Sequence, residues 1–217
     1  MRPKPLIGIV GEIYLRSHTA SNQDLIRLLE SHGAEVVNAS IAEWLNYVSH
    51  KLMRKASRDM TYAMTKRDVG SCIRYLKAWL HHRIQLTYQY LRLDQAYRRV
   101  GRHLHIHQDH RISRIERQLD NDRIFTFQVG TEAALGIGGA LEYQTTGFDG
   151  IVNVFPFTCM PSTMCSAILK PILERMRVPY IDSVYDGTFQ PNREAAIRTF
   201  MHQAAQHQEM RLSRRPW

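Results

Sequence analysis

Cys159 is the residue whose type and setting best suit chemistry. It lies in Phe155-Pro-Phe-Thr-Cys-Met-Pro-Ser-Thr-Met-Cys-Ser166, a segment joining an apolar, strand-like run to a helix. A thiol just before a helix meets free backbone N–H groups and the positive end of the helix dipole, and both stabilise a thiolate. Nucleophilic catalysis and metal binding each require a thiolate. Pro156 and Pro161 bracket the loop and stiffen it. The competing reading is plain packing, because free cysteines are commonly buried. Packing is the better reading for Cys165, six residues further on within the helix. It is also the better reading for Cys72, unless the helical middle of the chain folds over the loop. No CxxC pair occurs, which excludes a zinc ribbon or ferredoxin-type motif.

Two carboxylates, Glu12 and Asp186, follow strand-like runs and are candidate acid–base or ligand-contacting groups. Each has a plainer reading, as a helix cap or as a turn residue; Asp186-Gly187 is a common turn pair. Asn22 and Asn153 read as a cap and a strand-end hydrogen-bonding residue. Histidines cluster at His81-His82 and at His103, His105, His107 and His110. On a strand His103, His105 and His107 would share a face. On a helix His103, His107 and His110 would, and such a set can bind a transition metal. A solvated polar segment is the preferred reading.

The elements that must position these residues form three regions. The first reads β–α–β–α: a buried strand at Pro5–Val10, a helix capped by Ser21 and stopped at Gly33, a strand over 34–39, and a helix from Ala42. The second, about 48–119, has no proline and no convincing strand. Leu76, Trp79, Leu80, Ile84, Leu86, Tyr90 and Leu93 recur at helical spacing, with breaks expected at Gly70 and Gly101. The third returns to α/β, with a helix over 131–144, strands at 149–154 and 179–184, and helices over 161–176 and 192–208. Gly136-Ile-Gly-Gly139 lies inside the first of these helices, where close packing is a better reading than a phosphate cradle. Pro171 is expected to kink or interrupt the helix that carries it.

Together these imply an open parallel Rossmann-like (flavodoxin-like) sheet of four or more strands, with helices on both faces and a helical insertion. One α/β domain spans 1–50 and 120–208, a basic helical insertion or cap spans 51–119, and 209–217 is a tail. In such sheets ligands bind beyond the carboxyl ends of the strands. That places Gly11-Glu12, Pro156–Pro161 and Tyr185-Asp186-Gly187 on one rim.

Composition narrows the function classes. The 217 residues are 44% hydrophobic and 23% charged, a globular balance. No apolar run approaches the roughly 20 residues that span a bilayer. Leu6–Val10 is too short for a signal peptide core, and three cysteines do not suit a secreted disulfide framework, so a cytoplasmic protein is expected. Net charge is +9 but uneven: residues 51–118 carry 16 Lys/Arg against 5 Asp/Glu, and the remainder 13 against 15. The basic middle, with Arg98, Arg99, Arg102, Arg111, Arg114 and Arg117 near Tyr88, Tyr90 and Tyr97, suits a nucleic-acid backbone, a CoA polyphosphate or a simply solvated helix face. Nucleic acid is the weakest of these readings.

Ile7-Gly-Ile-Val-Gly-Glu-Ile-Tyr14, Ser21-Asn22, Gly33-Ala-Glu-Val36, Phe148-Asp-Gly-Ile-Val-Asn-Val154, Pro156-Phe-Thr-Cys-Met-Pro161 and Tyr185-Asp-Gly187 carry a resemblance. Together they resemble the activase-associated domain of the 2-hydroxyacyl-CoA dehydratase superfamily, found in large CoA-enzyme activase-related proteins of anaerobic bacteria. The resemblance covers roughly 1–50 and 125–205, and its most specific part is the Pro-Phe-x-Cys-Met-Pro segment. It implies a Rossmann-like domain related to dehydratase subunits, which hold a [4Fe–4S] cluster on three cysteines. In that family an ATP-driven activase delivers an electron to the dehydratase cluster. Cys159 matches a family cysteine and is the leading candidate iron ligand. Cys72 and Cys165 match no assignable family cysteine, although the three together equal the number such a cluster needs. The chain lacks the actin-like ATPase domain of activases, so ATP hydrolysis by this chain alone is not expected.

The expectation is therefore an iron–sulfur-associated component acting in electron delivery or activation. A dehydratase or activase protein partner, an acyl-CoA and a homo-oligomer are the expected associations. Lyase chemistry belongs to the relatives. The rival is a non-catalytic binding or scaffold domain without a cluster, docking an acidic partner through the basic helical region.

Overall fold

The computed structural model describes residues 3–104, 106–188 and 190–213. Along the chain run β1 (Leu6–Gly11), α1 (Ile13–Ser17), α2 (Leu25–Ser31), β2 (Glu35–Asn38), α3 (Ile41–Thr65), α4 (Val69–Val100) and α5 (Ile112–Asn121). A short 3-10 helix at Phe127–Val129 precedes α6 (Ala133–Thr145), β3 (Gly150–Pro156), α7 (Met160–Arg175), β4 (Tyr180–Tyr185) and α8 (Arg193–Ser213). The chain divides into two compact units, Met1–Ala39 with Ile115–Trp217 and Ser40–Arg114.

The first unit is α/β. Its four strands are all parallel, in the order β2-β1-β3-β4, which is the flavodoxin-like arrangement. Ile7 lies opposite Gly150 and Gly11 opposite Val154. The apolar runs of β1 and β3, the latter broken only by buried Asn153, follow from burial on both faces. On one face Ile7, Ile9, Val152 and Val154 meet Leu25 and Leu29 of α2 and Ile197, Phe200, Met201 and Ala204 of α8. On the other face lie α6 and α7. α6 is apolar around its whole circumference and buried from Ala133 to Tyr143, as such a helix must be. Its glycines allow close approach: a Cβ on Gly136 would stand 2.9 Å from Cys165 Sγ. α7 runs through Pro171 without interruption. No helix of the described residues is long and apolar enough to cross a membrane.

The second unit is a helical hairpin of α3 and α4 followed by a loop. Ser40 caps α3 by accepting from Glu43 N at 3.0 Å, the Ser-x-x-Glu spacing of a capping box. The unit boundary therefore falls at this cap rather than near residue 50, because α3 is one continuous helix. The turn between the helices lies at Arg67 and Asp68, and Asp68 caps α4 through Ser71 N. Gly70, an expected break, sits inside the first turn of α4, whereas Gly101 is its C-cap as expected. The loop is tied back to α3 by Ser40 Oγ to Asp109 Oδ2 at 2.5 Å and His110 Nδ1 to Glu43 Oε2 at 3.3 Å.

Candidate functional site

Order β2-β1-β3-β4 puts the switch point between β1 and β3, where a ligand crevice is expected. A groove of about 540 Å³ opens there, lined by Glu12, Tyr14, Ser21, Phe157, Tyr185 and Asp186 among others. Gly11 ends β1 at φ +116°, a conformation that other residues rarely adopt, and Glu12 N then donates to Val154 O at 2.7 Å. Glu12 and Asp186 thus share one groove, as the strand ends predict.

Both carboxylates also do the plainer work foreseen for them. Glu12 caps α1, its two oxygens accepting from Tyr14 N at 3.0 Å and Leu15 N at 2.8 Å. Asp186 Oδ1 accepts from Thr188 Oγ1 at 2.7 Å and Thr188 N at 2.9 Å, and these bonds hold its exposed carboxyl below the usual range. Sequence reasoning missed the apolar side chains around them. Tyr14 and Phe157, which line the groove, stand 58% and 67% exposed. Tyr14 stacks on His18 at 4.9 Å between ring centroids, and His18 Nδ1 lies 2.8 Å from Ser21 Oγ.

Cys159 occupies the N-cap of α7, half-buried, with Sγ 3.6 Å from Ser162 Oγ and no capping bond from its side chain. The residue before it, Thr158, has φ +69°. A β-branched residue there costs of order 1–2 kcal/mol, and such strain gathers at functional loops.

Cys165 is 2% exposed and its Sγ donates to Ala133 O at 3.5 Å. Burial pushes its thiol up to about 12, with the nearby Cys159 contributing in the same direction. A thiol so placed does not fit an iron ligand, which must be a thiolate facing a shared cavity. Cys72 is half-buried on α4, in the second unit. Burial in the α6–α7 contact therefore leaves Cys165 unavailable as a third thiolate. Among the described residues, no group of three or more His, Cys, Asp or Glu is arranged to hold a metal ion.

Beneath α7 lies a polar network that the strand pattern concealed. Asp182 Oδ1 accepts from Ser166 Oγ at 2.5 Å, Tyr180 OH at 2.7 Å and Asn153 Nδ2 at 3.2 Å, and Oδ2 pairs with Lys170 Nζ at 2.5 Å. Burial raises the Asp182 carboxyl, but these donors together outweigh it and leave it below the ordinary value. Asn153 also donates to Ser162 O at 3.2 Å, so the network braces the turn of α7 that follows Cys159. Asn22 bridges Leu15 O and Leu25 N, a loop brace rather than a ligand contact.

His103, His107 and His110 lie outside any helix, so neither a shared helix face nor a strand aligns them; His105 lies outside the described residues. Arg111 is held by Asp94 at 2.7 and 2.9 Å and covers the Tyr90 ring at 4.3 Å. The Tyr90 and Tyr97 hydroxyls accept from Ile112 N and Asp109 N. No family model, curated protein or solved structure matches this chain.

Proposed function

We propose that this chain is a binding component of a 2-hydroxyacyl-CoA dehydratase/activase-type system and carries no self-contained cluster. In this reading the α/β unit offers its carboxyl-end groove to a ligand, and the basic helical unit docks an acidic partner. The resemblance of the Pro156–Pro161 loop supplies the system. The observation that carries the lack of a self-contained cluster is Cys165, whose thiol is committed to the α6–α7 contact. An acyl-CoA suits the groove in kind, since exposed Tyr14 and Phe157 offer apolar surface beside polar groups.

A second reading is favoured by Cys159, half-buried beside the groove at a helix N-terminus. Here Cys159 is one ligand of a [4Fe–4S] cluster completed by another chain. Iron and sulfide content after anaerobic reconstitution, compared between wild type and Cys159→Ser, separates the two. Equal, near-zero iron supports the first reading; iron that depends on Cys159 and appears only in a multimer supports the second.

A further inference from the structure

α4 is a helix with two apolar faces, one of them turned toward α3. Tyr75, Trp79, Leu86, Tyr90, Leu93 and Tyr97 lie on a half-buried to buried face, the side toward α3 in the hairpin. A second row, Val69, Ile73, Leu76, Leu80, Ile84 and Leu91, is 50% to 69% exposed. At about 100° per residue this row falls within roughly 80° of the helix circumference. It runs about 33 Å at 1.5 Å per residue. From Val69 to Ile84 the steps are three and four residues, the spacing of a helix–helix seam, and Leu91 lies two turns further on beyond Thr87. Single exposed apolar residues are ordinary; five aligned from Val69 to Ile84 mark an interaction surface.

Charge says what covers it. α4 carries Arg74, Lys77, Arg83, Arg92, Arg98 and Arg99 against Asp94 alone, and Asp94 is held by Arg111. Among the described residues none of the six cations lies within 4 Å of a carboxylate; Arg74 bonds Ser71 Oγ, lies over the Tyr75 ring and feels the Asp68 charge, and Arg92 bonds Gln95 Oε1. Lys77 and Arg83 sit on opposite flanks of the row, where facing helices place their charged pairs. A second copy of α4 would set cation against cation in either orientation, which costs affinity.

We propose that this face of α4 is the docking site for an acidic amphipathic helix of a partner, with its apolar residues seated along Val69–Leu91 and its carboxylates toward Lys77 and Arg83. The proposal rests on the docking half of the function proposed above and names its surface and partner chemistry.

The test uses the full chain and two labelled synthetic helical peptides, each with leucines at three- and four-residue spacing. One is flanked by Glu and the other by Lys, and binding is read by fluorescence anisotropy. The Glu peptide is expected to bind at least about tenfold more tightly than the Lys peptide, and less tightly as salt rises. Leu76→Asp/Leu80→Asp should weaken it about tenfold or more with helix content unchanged by circular dichroism. Lys77→Glu/Arg83→Glu should shift preference toward the Lys peptide. Binding that ignores the leucine changes but fails with the charge reversals overturns the seam and leaves acidic docking standing. Equal or absent binding of both peptides overturns the proposal, as does a dimer in light scattering that the leucine changes dissolve. Neither result bears on cluster content, which the iron measurement decides.

Discussion

The Cys165 thiol donates to the carbonyl oxygen of Ala133 at 3.5 Å, across the contact between α7 and α6. This single bond changes the meaning of the cysteine count. Three cysteines match a three-thiolate cluster in number, but one of them is sealed where its thiolate form is disfavoured. The first outcome to expect is one of accessibility. In native protein at mildly alkaline pH, alkylation followed by peptide mass spectrometry should label Cys159 and Cys72 well before Cys165. Labelling of Cys165 at the rate of Cys159 would contradict its placement.

The same contact is tested by volume. A Cβ at Gly136 would lie 2.9 Å from Cys165 Sγ. Gly136→Ala should cost about 1–3 kcal/mol through overpacking, and Cys165→Ala about 1–2 kcal/mol through the space it leaves. The double substitution should cost less than the two together, because each relieves the other. Additive losses in denaturant unfolding would mean that the residues do not touch.

Thr158 is held at φ +69° beside Cys159. Thr158→Gly should raise stability by about 1 kcal/mol, since glycine adopts this conformation without the β-branched penalty. A loss in thermal unfolding would place the loop in another conformation.

Asp182 gives a pH dependence with a definite sign. Its folded carboxyl lies below the ordinary value near 3.8, so the stability it contributes is present above that value and is lost as pH falls through the folded one. Asp182→Asn should destabilise at pH 7 by about 2 kcal/mol through the broken network and should flatten the acid limb of stability against pH. Asp109 has the opposite sign. Burial raises its carboxyl, so its contribution is present at low pH and is lost as pH rises through the folded value.

Much of the α/β unit was legible in the sequence. Leu6–Val10 is a continuous apolar run, and Gly150–Val154 one broken only by the buried Asn153, because both faces of the sheet are covered, and Glu12 and Asp186 follow from the strand ends. What stayed hidden depends on distant pairing or on local competition. Cys165 meets Ala133 across 32 residues, and no spacing rule reaches that far. Tyr180 and Asp182 sit in a strand whose polar positions look solvent-facing until α7 covers them. At the hairpin, Asp68 capping and Arg67 at φ +54° make the turn before Gly70 is reached. The apolar row of α4 repeats at helical spacing whether or not anything covers it, so periodicity alone could not tell core from docking surface.

The most direct test of a binding component without its own cluster is iron and acid-labile sulfide per chain after strict anaerobic reconstitution, with a visible spectrum. The account predicts a colourless, folded protein whose iron is far below one atom per chain and unchanged in Cys159→Ser and Cys165→Ala. About four irons per chain, lost on replacing Cys165, would contradict it.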